Sequence, residues 1–483
     1  MTDKEKGIGL FGLVGLVVSS CIGAGIFNLP GDLSGVASPG GALVGWLIAG
    51  IGFLCLALSL VNLGEKRPDI DGLFAYAEEG FGPLAGFISG WGYWFSAWLG
   101  SVGFAVMVIQ AFCGINPGLF GSPDAPNAVA VILVSVVLWA LTYLVIRGVE
   151  SASTLNAIVM AVKVISIFVF IVFVITVFNM GVFTADFWGN VANNAAAATA
   201  DAESAGFGGI GTQALNCLLV MMWVFIGIEG ANVMSKRAKK QSDISKATII
   251  GLVALLVMYI LFSILPYGVL PAEELAALDN PAAASLFAQI APGWGGAFLN
   301  VAVIISVLGS WLSFTILPAE TSSLMAEHTL LPKSWAKMNK HNAPQLSLIV
   351  IGVCIQVMLI VALISADAYT FAISMCTVAI VITWALAAAY QIKYSAENKE
   401  YGQLVIGIIA ILFQIVGSLF TGWGFFLLVC IGYIPGFILY ARARKEAGHA
   451  QALSKGEKIC VAVFAVAAVL SIPLTAVGII PVF

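Results

Sequence analysis

Long apolar runs separated by short polar segments occupy the chain from about residue 11 to its end. Thirteen of them approach or exceed the roughly 20 residues that a helix needs to cross the hydrocarbon core. They fall at about 11–35, 42–63, 83–113, 128–147, 154–178, 212–234, 247–267, 286–324, 346–364, 367–391, 403–420, 422–441 and 457–481. The third and eighth are longer than an upright span needs, and require tilt or an adjoining surface segment. The pattern predicts an all-α polytopic membrane protein with about thirteen transmembrane helices.

Composition removes the alternatives. The 483 residues are 60% hydrophobic and only 10% charged, with a mean hydropathy of +1.03. Soluble domains are about half apolar and about a quarter charged. So little charge cannot cover a water-soluble protein of this size. A soluble enzyme, a disordered chain and a nucleic-acid binder are excluded. The first ten residues are polar, with no small-residue cleavage site after a brief apolar core. The first run is therefore expected to be a retained span rather than a leader. Eight cysteines (Cys21, Cys55, Cys113, Cys217, Cys354, Cys376, Cys430 and Cys460) are scattered singly through apolar stretches, and the three histidines lie near loops. No metal site, cofactor or disulfide framework is expected.

Charge then orients the runs. Twenty of the 21 Lys and Arg residues precede the first run or follow an even-numbered one. Lys4 and Lys6 come first, then Lys66 and Arg67, Arg147, and the group Lys236, Arg237, Lys239, Lys240 and Lys246. Lys333, Lys337 and Lys340, then Lys393 and Lys399, and finally Arg442, Arg444, Lys445, Lys455 and Lys458 complete the set. The loops after odd-numbered runs carry none, including the long 179–211 segment. The positive-inside rule puts the N-terminus in the cytoplasm and, after thirteen spans, Phe483 outside. A miscounted span would scramble this segregation.

The remaining cation, Lys163, falls in the middle of the fifth run, and two carboxylates are placed alike: Glu229 in the sixth and Glu320 in the eighth. An ionised group at mid-bilayer costs at least ~2.5–3.5 kcal/mol on insertion scales, so each needs a partner or a watery cavity. Lys163 is equally consistent with a structural tie that gathers freed carbonyls. Glu229 and Glu320 point to function because of where they sit.

Two runs are interrupted by glycine. The first contains Ser19-Ser20-Cys21-Ile22-Gly23-Ala24-Gly25-Ile26-Phe27, and the sixth contains Trp223-Val224-Phe225-Ile226-Gly227-Ile228-Glu229-Gly230. Glycine in a helix interior costs ~1 kcal/mol against alanine. Unwound backbone persists in a membrane only where it faces protein or a water-filled site. The plain alternative is close helix packing through small residues. The matched position of the two interruptions, five runs apart, favours inverted repeats with a midplane site. Half-helix N-termini would face a carboxylate and freed carbonyls an ammonium, the headgroup of an α-amino acid.

These residues carry a resemblance. Ser20-Cys21-Ile22-Gly23-Ala24-Gly25-Ile26-Phe27, followed by Leu29-Pro30, resembles the first-span signature of the amino acid–polyamine–organocation (APC) superfamily. Tyr93-Trp94, Trp98 and Gly100, the Trp223–Glu229 segment, Leu317-Pro318-Ala319-Glu320 and Leu331-Pro332 are similar to the basic amino acid/polyamine antiporters. Within that family the chain is most similar to arginine/ornithine antiporters, which also tend to have a thirteenth span. The resemblance implies a LeuT-like five-plus-five inverted-repeat core with broken helices 1 and 6. It would occupy residues 1–391, with a first repeat at about 11–178 and a second at about 212–391. Peripheral C-terminal helices would span 403–481.

It also implies roles. Cys21, Ile22, Gly23, Ala24 and Gly25 match the segment that holds the substrate carboxylate. Trp223 and Ile226 match the segment that packs on the substrate chain and receives its ammonium. Ser96, Ala97 and Ser101 match positions around the distal cation. Ser101 stands where arginine/agmatine exchangers have asparagine, which argues against agmatine. Phe314 matches the substrate-covering aromatic, with Trp311 as the alternative. Tyr93 and Glu229 match gating positions. Lys163 resembles a fifth-span lysine that replaces the sodium of ion-coupled relatives. Glu320 would offset the substrate's side-chain cation or carry a proton, and the first is preferred.

The expected activity is arginine/ornithine antiport across the bacterial plasma membrane by alternating access, with L-lysine a further candidate substrate. The rivals are proton-coupled lysine or arginine uptake, amino acid/amine exchange such as histidine for histamine, and a signalling transceptor. No catalytic constellation points to an enzyme. The expected partners are the small-molecule substrates and the lipid bilayer, with a homodimer open as an alternative to a monomer.

Overall fold

In the computed structural model the described residues are 8–123, 125–148, 153–189, 207–230, 238–362, 368–420, 423–478 and 480. Lys4, Lys6, Lys236 and Arg237 lie outside them. In chain order the main helices are α1 (Leu10–Cys21), α2 (Gly25–Ser34), α3 (Pro39–Lys66), α4 (Leu73–Phe81), α5 (Pro83–Ile115), α6 (Ala128–Ile146), α7 (Ser153–Val177) and α8 (Ile210–Val224). Then come α9 (Gln241–Ile264), α10 (Ala282–Ile290), α11 (Gly295–Glu327), α12 (Gln345–Ala362), α13 (Ala368–Glu397), α14 (Tyr401–Phe420), α15 (Trp423–Glu446) and α16 (Lys455–Ala476). A hairpin pairing Gly121–Ser122 with Ala125–Pro126 is the one sheet among the described residues.

The protein is an all-α polytopic membrane protein. Ten helices among the described residues are long and apolar enough to cross a membrane, and eleven spans result when α1 and α2, bent by 45° at their junction, count as one. The shorter apolar helices α8 and α12 occupy the sixth and ninth runs. The sixth run departs from the expected 212–234: α8 stops at Val224, and 231–234 lie outside the described residues. The eighth run is two helices, not one. Pro292 has no amide proton to donate, and Gly293 adopts φ +87°, so the chain turns between α10 and α11. α10 buries Ala283, Leu286 and Phe287 against the bundle. The short α4 was not foreseen. Gly72 and Gly82, both at positive φ, bound it.

Side-chain caps start several helices where the sequence supplies an oxygen. Asn127 accepts from the amides of Val129 and Ala130 at the start of α6, and Ser454 and Glu457 form a capping box on α16. At the centre, α5 and α13 each bury 78% of their most apolar stretch, against 11% for α16. α14 is tied to the core by Phe413, which packs edge-on against Phe53 of α3. α15 is tied to α5, since the Trp91 indole donates to the Gly432 carbonyl at 2.9 Å.

The loops sort onto two faces. Lys66 pairs with Glu400 at 2.9 Å and His328 with Glu78 at 2.7 Å. The Lys333 amide donates to Glu446 at 3.0 Å, and the Lys239 amide to the Ile8 carbonyl at 2.8 Å. These contacts gather the basic loops on one face. On the other, the Tyr267 hydroxyl donates to the Ala37 carbonyl at 2.9 Å and the Asn179 amide to Gly268 at 2.8 Å.

Candidate functional site

The first break begins where α1 ends at Cys21. Ile22 adopts φ −74° and ψ 79°, and the Gly23 amide returns to the Cys21 carbonyl at 2.8 Å. This is an inverse γ-turn. It takes the Gly23 amide away from Ser19, its helical acceptor four residues back. The freed Ser19 carbonyl accepts from the Lys163 ammonium at 2.7 Å. Lys163 also donates to the Ser19 hydroxyl at 3.2 Å and the Ser310 hydroxyl at 2.6 Å. Ser310 can turn its own proton to the Ser19 carbonyl at 2.9 Å or the Ile22 carbonyl at 2.8 Å. A fully buried lysine on α7 and a serine on α11 therefore hold the unwound turn.

The second break follows Val224. Residues 225–229 form tight turns, with the Ile228 amide on the Phe225 carbonyl at 3.1 Å and the Gly230 amide on Gly227 at 2.9 Å. Gly227 has φ +111°, and a Cβ there would lie 2.8 Å from the Ser20 Cβ. Glycine is thus required twice, by conformation and by the approach of α1. The Val224 carbonyl accepts from the Tyr259 hydroxyl at 2.9 Å, and the Phe225 carbonyl faces the Cys21 thiol at 3.6 Å. The Glu229 carboxylate accepts from the Gly227 amide at 3.2 Å, beside Trp384.

The two breaks face each other across a nearly closed cavity of about 10 Å³. Its walls are Ser20, Cys21, Gly23, Ala24 and Gly25 from the first break, Trp223, Val224 and Ile226 from the second, Phe104 of α5 and Phe314 of α11. The Trp223 indole lies so close to Gly25 that a Cβ there would be 2.7 Å from Nε1. The rings of Phe104 and Phe314 are 5.0 Å apart, edge to face. Small-molecule sites usually enclose ~300–1,000 Å³, so a ligand the size of an amino acid enters only if these rings move.

Of the residues singled out in the sequence, Cys21, Gly23, Ala24, Gly25, Trp223, Ile226 and Phe314 are brought together on this cavity. Ile22 is the centre of the γ-turn. Ser96, Ala97 and Ser101 are buried on α5 but off the wall; Ser96 contacts the Cys376 thiol at 3.2 Å, and Ser101 donates to the Ala97 carbonyl at 3.0 Å. Trp311 is fully buried away from the wall, so Phe314 is the α11 aromatic that lines it. Glu320 is partly exposed further along α11 and outside the cavity. Tyr93 is buried near Glu229 and Cys21. Ser20, Phe104, Val224 and Ser310 were missed. Phe104 was within reach, because Ala97, Gly100 and Phe104 share one helical face.

The profile of the amino acid permease family matches residues 8–442. The chain belongs to that family. Both breaks and every cavity residue of this permease lie within the match. It is 48% identical over 484 residues, 99% of each chain, to the arginine/ornithine antiporter of Latilactobacillus sakei. It is 43% identical to the arginine/ornithine antiporter ArcD1 of Lactococcus lactis subsp. cremoris, across 92% of this chain and 86% of that one. The arginine/ornithine antiporter of Pseudomonas aeruginosa is 35% identical across 92% of each chain.

Proposed function

We propose that this permease exchanges arginine for ornithine across the bacterial plasma membrane by alternating access. The observation that carries the reading is the cavity lined by residues of two helix breaks together with Phe104 and Phe314. α2 starts at Gly25 on the cavity wall. The Gly25 and Ile26 amides of its first turn and its positive dipole end suit the substrate carboxylate, while the Phe27 amide is taken by the Ala24 carbonyl. The turns after Val224 offer carbonyls to the α-ammonium. Trp223, Phe104 and Phe314 offer faces to a side-chain cation, each such contact contributing ~0.5–2 kcal/mol. The arginine/ornithine antiporters to which the chain is similar supply the substrate pair.

In this reading residues 1–391 form a five-plus-five inverted-repeat core, and 403–481 are peripheral. The face of the basic loops is cytoplasmic, which places the C-terminus outside. Lys163 is a fixed charge that keeps the first break open. Glu320, on the half of α11 toward the basic face, offsets the substrate cation as it passes. Arginine and ornithine both carry +1 at neutral pH, so one-for-one exchange is electroneutral. In a strict exchanger the empty carrier switches poorly and bound substrate lowers the barrier between the two states.

The test is uptake of radiolabelled arginine into proteoliposomes preloaded with buffer, ornithine, lysine or agmatine. Ornithine-loaded vesicles should take up arginine fastest, without response to an imposed membrane potential. Equal uptake into buffer-loaded vesicles, or uptake that collapses with a proton gradient, would overturn the exchange reading.

A further inference from the structure

A second polar cluster lies beside the central cavity. Asn28 of α2 is fully buried, and neither its amide nitrogen nor its amide oxygen reaches a hydrogen-bonding partner. The Tyr369 hydroxyl, on the first turn of α13, is also buried, and neither it nor the Trp223 indole nitrogen makes a hydrogen bond of good geometry, the two lying only within loose reach of each other and of Asn28. Asn28 and Trp223 both adjoin the Tyr369 hydroxyl, with the Asp32 carboxylate nearby. Asp32 follows Asn28 by one helical turn on the same face of α2. It is partly exposed and has no cationic neighbour among the described residues.

Unpaired buried polar groups each cost ~1–3 kcal/mol and call for an explanation. Here several converge: the Asp32 carboxylate, the Asn28 amide oxygen and the Tyr369 hydroxyl can accept, beside the Asn28 amide and Trp223 indole N–H groups, which donate. A guanidinium or ammonium carries only donors. The place is also suggestive. α2 runs from the cavity toward Ala37, on the face opposite the basic loops, and Trp223 borders both the cavity and the cluster.

We propose that Asn28, Asp32 and Tyr369 form a staging site that receives the side-chain cation of an incoming substrate before Trp223 admits it to the central cavity. The proposal rests on the reading that the substrates are basic amino acids. Because the site serves one face only, its loss is asymmetric.

The experiment measures arginine/ornithine exchange in right-side-out and inverted membrane vesicles carrying wild type, Asp32→Asn or Tyr369→Phe. Asp32→Asn should raise KM about tenfold for arginine presented at the face opposite the basic loops, the factor expected when a charge-assisted hydrogen bond is weakened. KM at the basic face should stay within about twofold, a change below ~0.5 kcal/mol. Tyr369→Phe should give a smaller rise on the same face alone. It decides the matter if Asp32→Asn fails to reach the membrane. Unchanged KM at both faces, or an equal rise at both, overturns the staging site. Wild-type vesicles that do not exchange arginine for ornithine refute the functional reading instead, before any variant is compared.

Discussion

The Lys163 ammonium lies 2.7 Å from the Ser19 carbonyl, an acceptor free only because the Gly23 amide has folded back onto Cys21. Lysine and break therefore depend on each other. Lys163→Met removes the bonds to Ser19, and the one Ser310 proton cannot cover both the Ser19 and Ile22 carbonyls. Hydrogen bonds to charged groups contribute ~1.5–3 kcal/mol, but burying the ammonium costs several kcal/mol in the wild type. The two nearly offset in stability and not in geometry. Exchange should fall at least about tenfold, equivalent to ~1.4 kcal/mol, while the melting temperature in detergent shifts by a few degrees. Exchange near the wild-type rate in Lys163→Met would count against the tie.

The glycines of the second break are not equivalent. Gly227 combines φ +111° with Ser20 at 2.8 Å from any added Cβ, whereas at Gly230 the nearest atom is the Ser20 Oγ at 3.4 Å. Gly227→Ala should lower stability by ~1–3 kcal/mol or more, the cost of a strained backbone plus the displacement of α1, and should abolish exchange. Gly230→Ala should behave close to wild type. Thermal unfolding and exchange of both variants check this; a Gly227→Ala variant close to wild type would show that the break tolerates a side chain there, and equal losses in the two would overturn the distinction between them.

Much of the architecture was legible because its signals are strong and local. Apolar runs of membrane length, basic residues confined to alternate loops and glycine pairs at matched depth each have one dominant physical cause. The central cavity was legible where it is made of contiguous chain, at Cys21–Gly25 and Trp223–Ile226. It was illegible where distant helices converge. Ser310 resembles many serines in apolar helices, and nothing local says that its hydroxyl meets an unwound carbonyl 288 residues away in sequence. The split of the eighth run at Pro292-Gly293 was written in the residues, yet it was masked by the apolar stretch around it. Asp32 drew no notice because an acidic residue near a span end is ordinary until its neighbours are seen to lack partners.

Trp223 offers the sharpest test of how the cavity reads its ligand. Its ring packs on Gly25, and added Cβ atoms at Gly100 and Gly103 of α5 would also come within 3.4 Å of it. Its displacement opens the cavity, and its face meets what enters. If the face recognises a cation, the wild type should prefer arginine over citrulline, which has nearly the same shape without the charge. Trp223→Ala should raise the arginine KM about 2–30-fold, the range that follows from ~0.5–2 kcal/mol of lost cation–π attraction. It should raise the inhibition constant for citrulline less, so the preference shrinks. Trp223→Phe, which keeps an aromatic face, should retain most of the preference. Competition by citrulline against labelled arginine in ornithine-loaded vesicles measures all three. A preference unchanged in Trp223→Ala would move the recognition of charge elsewhere, to Phe314, Phe104 or the carboxylates along the path.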